Sequence, residues 1–309
     1  MTQSKVVIIS GPTATGKTDI AIHCALKAHG LIINFDSLLF YKELCIGTAR
    51  PSKEEQKGVP HYLLASESAH HPINAADFVK KALPLMQELQ KLQQPLFLVG
   101  GSGFYLKALM QGMYPSVTPS PDILKKSEDL FKEEGITAFL NILEKCDPEN
   151  FKILHPNDHY RIRRAVEHFW STGIPFSQAK KIHTEKEHSF PYDFLHIYLD
   201  YPKPIHEERI QKRTENMLNQ GLIQEVQSLL SHGFQGDEKP LLSIGYKETQ
   251  AYLQGSILSL KELKEKIIIA TRQLAKSQRT WFQKIPNKVV FCPPDQDKIW
   301  GSVQSFLIK

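Results

Sequence analysis

The sequence predicts an α/β fold, a P-loop-type parallel-sheet core interrupted by a mostly helical insertion. Three observations carry that expectation. Short apolar runs at 6–10, 31–33 and 95–99 alternate with helical periodicity, as in parallel strands buried on both faces. A glycine-rich segment, Gly11 to Thr18, stands between the first run and the first helix. From about residue 114 to 192 the β signal disappears, to return at 194–199 and 288–292.

In chain order, 6–10 is the first strand, and the helix after the glycine segment buries Ile20, Ala21, Cys24 and Ala25 on one side. Residues 31–33 form a second strand that runs out at 34–37, 75–93 a helix, and 95–99 a third strand closed by Gly100 and Gly101. The stretch 114–192 has helical spacing, proline punctuation and no buried strand run. The expected division is therefore a core of 1–113 and 193–309 around a helical insertion at 114–192. There is no repeat or low-complexity segment.

Composition narrows the class. With 309 residues, 41% apolar and 23% charged, the chain can bury a core without disulfides or structural metal. Cys24, Cys45, Cys146 and Cys292 are far apart and form no CxxC pair, which points to reduced thiols rather than a zinc site or disulfide framework. The net charge of +5 permits an anionic partner without requiring one. No run approaches the roughly 20 apolar residues of a membrane span, so a cytoplasmic protein with no membrane association is expected.

Gly11, Pro12, Thr13, Ala14, Thr15, Gly16, Lys17 and Thr18 satisfy G-x-x-x-x-G-K-[ST] at every fixed position. Glycines let backbone N–H groups converge on phosphate oxygens, and the following helix adds its positive end. Lys17 supplies a point charge, and the Thr18 hydroxyl is placed to help hold Mg²⁺. A chain this long matches by chance about once in a hundred. The motif specifies a di- or triphosphate ligand and says nothing of the reaction. A kinase or NTPase would be the default, but the strand at 95–99 ends in Gly100-Gly101-Ser102 with no carboxylate; the strand-end carboxylate is Asp36. Strand ends are where open α/β sheets bind ligands.

Asp36-Ser37, Tyr41-Lys42 and the run 46–51 (IGTARP) resemble the block that follows the phosphate loop in tRNA dimethylallyltransferases. Further matching blocks run the length of the chain: 60–63 (PHYL), 76–78 (ADF), 99–105 (VGGSGFY), 155–158 (HPND) leading to Arg161 and Arg164, Gly245-Tyr246, and 271–276 (TRQLAK). Ser102 stands where the family usually has Thr. The neutral 242–244 replaces a common arginine, and Ser277 a basic residue.

The resemblance implies transfer of a dimethylallyl group from its pyrophosphate to N6 of the tRNA adenosine next to the anticodon on its 3′ side. The loop would hold the diphosphate with Mg²⁺ rather than ATP and stabilise its growing charge. The family assigns the general base to the position of Asp36 and a hydroxyl near the reacting centre to that of Ser102. One of Arg209 and Arg213 would reach the pyrophosphate, the alternative being intrahelical pairing with Glu208 and Lys212. tRNA contacts fall on Asp36, Ser37, Leu38, Leu39, Tyr160, Arg161, Ile162, Arg163, Arg164, Gly245 and Tyr246.

Asp158 is a plausible N-cap, which puts Arg161, Arg164 and His168 on one helix face and leaves Arg163 to pair with Glu167. Residues 114–192 hold eleven Lys/Arg and twelve Asp/Glu, so the insertion as a whole is not basic. Residues 261–288 hold eight against two, and Arg272, Lys276 and Arg279 share a helix face suited to a phosphate backbone. Trp281 and Phe282 read as core. Expected partners are tRNA and dimethylallyl pyrophosphate, bound by a monomer. The alternatives are an enzyme that prenylates free adenine nucleotides and a phosphate-loop kinase or NTPase.

Overall fold

The computed structural model describes residues 5–112, 117–184 and 190–308, with the side chains of 183 and 184 excepted. Its elements are β1 (Lys5–Ser10), α1 (Lys17–Ala28), β2 (Leu31–Asn34), β3 (His61–Tyr62), α2 (Ala75–Gln90), β4 (Leu96–Gly100), α3 (Gly103–Gln111), α4 (Pro121–Cys146), α5 (Pro148–Ile153), α6 (His159–Thr172) and α7 (Phe176–Thr184). Then follow β5 (Asp193–Leu199), α8 (Lys203–Asn219), α9 (Leu222–Ser231), α10 (Tyr246–Leu253), α11 (Leu260–Gln283), β6 (Lys288–Phe291) and α12 (Gln296–Ile308). The chain divides into two compact units, 1–109 with 190–309, and 110–189.

In the first unit the strands form one sheet in the order β3-β2-β4-β1-β5-β6, every pairing parallel. Val6, Val7, Ile8 and Ile9 are all fully buried, because helices cover both faces of β1. Val7 and Ile9 pack with α1 and with Ile299 and Val303 of α12. A second apolar cluster joins α8 to α11 through Met217, Leu222, Val226, Tyr246, Leu263 and Ile267. The sheet order matters for function. β2, β4 and β1 are neighbours, so the loops leaving their carboxyl ends lie side by side: one carries Asp36, the next Ser102, the third the phosphate loop. β5, on the other side of β1, delivers Asp200.

The second unit is helical in its described residues. Phe139, Leu143, Ile162, Ala165 and Val166 form its core. Asp158 caps α6 by accepting from the Arg161 N–H. Three sequence expectations change here. Ile162 is fully buried, so its side chain cannot touch RNA. His168 is buried rather than sharing an exposed face with Arg161. It is Arg164, not Arg163, that pairs with Glu167 (3.0 Å). The Arg163 guanidinium lies over the Phe131 and Phe139 rings, 4.7 and 5.7 Å from their centroids, and donates to the Ser127 hydroxyl. A guanidinium is weakly hydrated and stacks readily on aromatic faces, which draws Arg163 into the packing. Tyr160 and Arg161 remain exposed, with Arg161 in a 3.3 Å surface pair to Asp158.

Candidate active site

The phosphate loop turns directly out of β1. Gly16 takes φ 81° at the N-cap of α1, a left-handed conformation that glycine adopts without strain, and offers no side chain to cap the helix. The first N–H groups of α1 therefore stay open to an anion. Thr15 closes the loop on itself through the Pro12 carbonyl (2.8 Å), which also accepts from Lys17 Nζ (2.8 Å). Burial holds the Lys17 ammonium well below the usual lysine range, at about 8; Asp36 pulls it back up and Arg213 pushes it further down. The lysine is thus a desolvated cation, able to interact strongly with a phosphate that displaces the carbonyl contact.

Asp36 follows β2 in a tightly held turn. The Asn34 side chain accepts from the Asp36 N–H (2.9 Å) and donates to the Leu63 carbonyl (2.9 Å). Asp36 Oδ1 accepts from the Leu38 N–H at 3.3 Å, whereas Oδ2 has no hydrogen-bond partner among the described residues. Ser102 accepts from the Ser37 N–H (2.9 Å) and donates to the Ser37 hydroxyl (3.1 Å). It thereby ties the end of β4 to the loop bearing Asp36. Asp36, Ser37, Leu38, Leu39 and Ser102 all line one cavity of about 610 Å³, together with Thr13, Lys17, Thr18, Arg213 and Gly245.

The structure separates the two arginines of α8. Arg213 faces the cavity and is anchored by donating to the Thr48 carbonyl (3.0 Å); burial lowers its pKa and Asp36 opposes that shift. Arg209 instead braces the loop, its Nε donating to the Ala14 carbonyl (2.9 Å) and its guanidinium 4.6 Å from the Tyr201 ring centroid. Neither makes the intrahelical pair that spacing allowed.

The helix face expected to meet RNA is largely engaged within the unit. Arg279 forks onto the Asp200 carboxylate, Nε at 3.0 Å and Nη2 at 2.8 Å. Arg272 pairs more loosely with Glu207 (3.4 Å). Lys276 is exposed and has no ion pair among the described residues. Tyr246 is another correction: its ring is fully buried and its hydroxyl donates to Glu225 (2.6 Å). Trp281, expected in the core, lines the cavity, whereas Phe282 is fully buried as expected. The neutral 242–244 and Ser277 also line the cavity wall.

Two contributors carry no sequence signal. The Gln278 amide bridges two active loops, accepting from the Thr13 N–H (2.9 Å) and donating to the Gly101 carbonyl (3.1 Å). Glu225 gathers the N–H groups of Cys45, Ile46 and Gly47 (3.0, 2.7 and 3.1 Å) as well as the Tyr246 hydroxyl. That shapes the segment whose Thr48 carbonyl holds Arg213. Gly47 must be glycine, since a Cβ there would come within 2.5 Å of the Tyr246 ring. Polar residues of this kind look like solvated surface until the partner segments are brought to them.

Among known proteins, a family model described as IPP transferase matches residues 39–285, a span that begins after the phosphate loop and Asp36. The chain is 40% identical over 285 residues to a tRNA dimethylallyltransferase of Bdellovibrio bacteriovorus, covering 92% of each. It is 39% identical to one of Trichormus variabilis, covering 97% of this chain and 99% of the relative. The tRNA isopentenylpyrophosphate transferase of Bacillus halodurans superposes with a TM-score of 0.71 at 31% identity, covering 99% and 96% of the two chains. A eukaryotic dimethylallyltransferase acting on tRNA gives 0.79 at 25% identity, covering 99% of this chain and 78% of its own.

Proposed function

The chain belongs to the IPP transferase family, and from that premise we propose how its cavity transfers a dimethylallyl group from dimethylallyl pyrophosphate to tRNA. It is an enzyme of tRNA modification, a prenyl transferase. The acceptor is N6 of the adenosine on the 3′ side of the anticodon. The observation that carries the reading is the convergence of an open phosphate loop, Lys17, Arg213 and Asp36 on one cavity.

In this reading the loop N–H groups, Lys17 and Arg213 receive the diphosphate. They stabilise the charge that grows on it as the C–O bond breaks. The N6 lone pair is delocalised into the purine, so N6 attacks weakly and its proton becomes acidic only as the N–C bond forms. Asp36 then needs only ordinary carboxylate basicity to accept that proton. Ser102 keeps the aspartate loop in place. Mg²⁺ fits as an ion brought by the diphosphate. Among the described residues no cluster of three or more His, Cys, Asp or Glu could hold a metal, and Mg²⁺ characteristically binds through few protein ligands plus substrate phosphates. Thr18 would supply the protein ligand, and the ion would neutralise phosphate charge.

Leu38, Leu39 and Gly245 line the cavity wall and suit an unstacked base. Tyr160 and Arg161 offer an exposed surface for the anticodon arm. We place the reaction in the cytoplasm and take the working unit as a monomer; among the described residues no helix is long and apolar enough to cross a membrane. Incubating tRNA with the protein and dimethylallyl pyrophosphate, then analysing nucleosides by mass spectrometry, should yield N6-dimethylallyladenosine. Prenylated free AMP with unmodified tRNA would instead reveal a nucleotide prenyltransferase.

The arginines of α6 separate by the same logic. Arg161→Ala should reduce the log–log salt slope of tRNA binding by about 0.7–0.9, the loss of one phosphate contact, without changing the Michaelis constant for the diphosphate. Arg163→Ala should leave the slope alone and lower the melting temperature, because it removes packing on Phe131 and Phe139. Binding at several salt concentrations, with melting curves, tests both.

A further inference from the structure

Three elements meet at Thr13 of the phosphate loop. His206, in the first turn of α8, is 1% exposed, and its Nε2 lies 2.8 Å from the Thr13 carbonyl oxygen. Its Nδ1 contacts Nη2 of Arg279, whose guanidinium is forked onto Asp200 beyond the end of β5. The Thr13 N–H is held from the other side by Gln278, the residue before Arg279 on α11. A guanidinium can only donate, so Nδ1 must be the acceptor and the ring proton must sit on Nε2, where the carbonyl takes it. The direction of every bond is thereby assigned. Burial, with the positive charges of Arg279 and Lys17, lowers the imidazole pKa against the opposing Thr13 contact and Asp200 charge. Ala14, the next residue, is held at φ 64°, a conformation that a residue with a Cβ seldom adopts unless its neighbours fix it.

We propose that His206 is a positioning residue for the phosphate loop, a fixed-tautomer relay through which the Asp200–Arg279 ion pair holds the Thr13–Ala14 peptide, and with it the Ala14 N–H, in its phosphate-receiving orientation. Arg279 accordingly serves the diphosphate end of the cavity rather than RNA. The ion pair fixes the guanidinium, the guanidinium fixes the imidazole, and the imidazole fixes the carbonyl. With Gln278 on the N–H of the preceding peptide, the peptide planes on both sides of Thr13 are held. This inference rests on the reading that the loop receives a diphosphate.

The test uses two near-isosteres that each keep one end of the imidazole. His206→Gln can place an amide N–H near the Nε2 position and still donate to Thr13; His206→Asn reaches only the Nδ1 position. Affinity for inorganic pyrophosphate by calorimetry, the Michaelis constant for dimethylallyl pyrophosphate, tRNA affinity against salt and the melting temperature are measured for both, and for Arg279→Ala. The expected result is an affinity loss of about tenfold for His206→Asn, the worth of one hydrogen bond to a preorganised site. His206→Gln should recover to within about threefold, and tRNA salt slopes should not change, including in Arg279→Ala. Equal losses in both His206 variants that track the melting temperature would overturn the relay in favour of simple packing. Unchanged pyrophosphate affinity in His206→Asn, or a shallower tRNA slope in Arg279→Ala, would overturn it too. A wild type that binds no pyrophosphate, yet prenylates tRNA, would instead remove the loop's assignment and the relay with it.

Discussion

Asp36→Asn should bind tRNA and diphosphate normally and yet lose the chemical step by about 10²–10⁴-fold, the range for removing a general base. The substitution is nearly isosteric, and the amide oxygen can keep the Oδ1 contact to the Leu38 N–H that closes the turn. The Asn34 and Ser102 contacts that hold the loop do not involve the carboxylate. What disappears is the basicity of the oxygen that has no partner among the described residues. Single-turnover prenylation, with tRNA and pyrophosphate binding measured on the same preparation, isolates the effect. Normal chemistry in this variant would rule out Asp36 as the base. A wild type that turned over ATP and never prenylated tRNA would sink the whole reading.

Lys17→Ala should lower kcat/KM for dimethylallyl pyrophosphate by about 10²–10³-fold, comparable to removing one preorganised donor from a developing anion. Arg213→Ala should fall in a similar range, since it stands in the same cavity. The fold should survive both changes: each ends a buried cation whose desolvation opposes its own charge. Melting temperatures that hold while turnover collapses would mark the pair as phosphate contacts. Near-normal turnover at limiting dimethylallyl pyrophosphate in Lys17→Ala would refute the role of the loop.

Much of this was legible in the chain. Strands buried on both faces announce themselves as unbroken apolar runs, and β1, β2, β4 and β5 appear where those runs are. β3 does not, because two residues, His61 and Tyr62, carry no periodicity. Lys17 was singled out by the G-x-x-x-x-G-K-[ST] spacing, and Asp36 by its place at a strand end, where ligand sites gather. The internal partners of Arg279 and Tyr246, both expected to face RNA, were missed for one reason. Helical spacing tells which residues share a face, but not what that face packs against. Asp200 claims the first and Glu225 the second, from segments 79 and 21 residues away. Gln278 and His206 had no signal at all, being ordinary polar residues whose meaning comes from a loop more than 190 residues distant.

The adjacency of β2, β4 and β1 also acts as a caliper. Parallel neighbours lie about 4.8 Å apart, so the strand that bears Asp36 and the strand that bears the phosphate loop are held about 10 Å apart by backbone hydrogen bonding alone. In the proposed reaction, that fixed separation would set how far Asp36 stands from a seated diphosphate and its reacting carbon. The jaw width is set by the sheet, not by side chains. Surface drift in the surrounding helices can therefore proceed without misaligning the reaction, whereas a pyrophosphate donor with a spacer inserted before its reactive carbon would overshoot the aspartate.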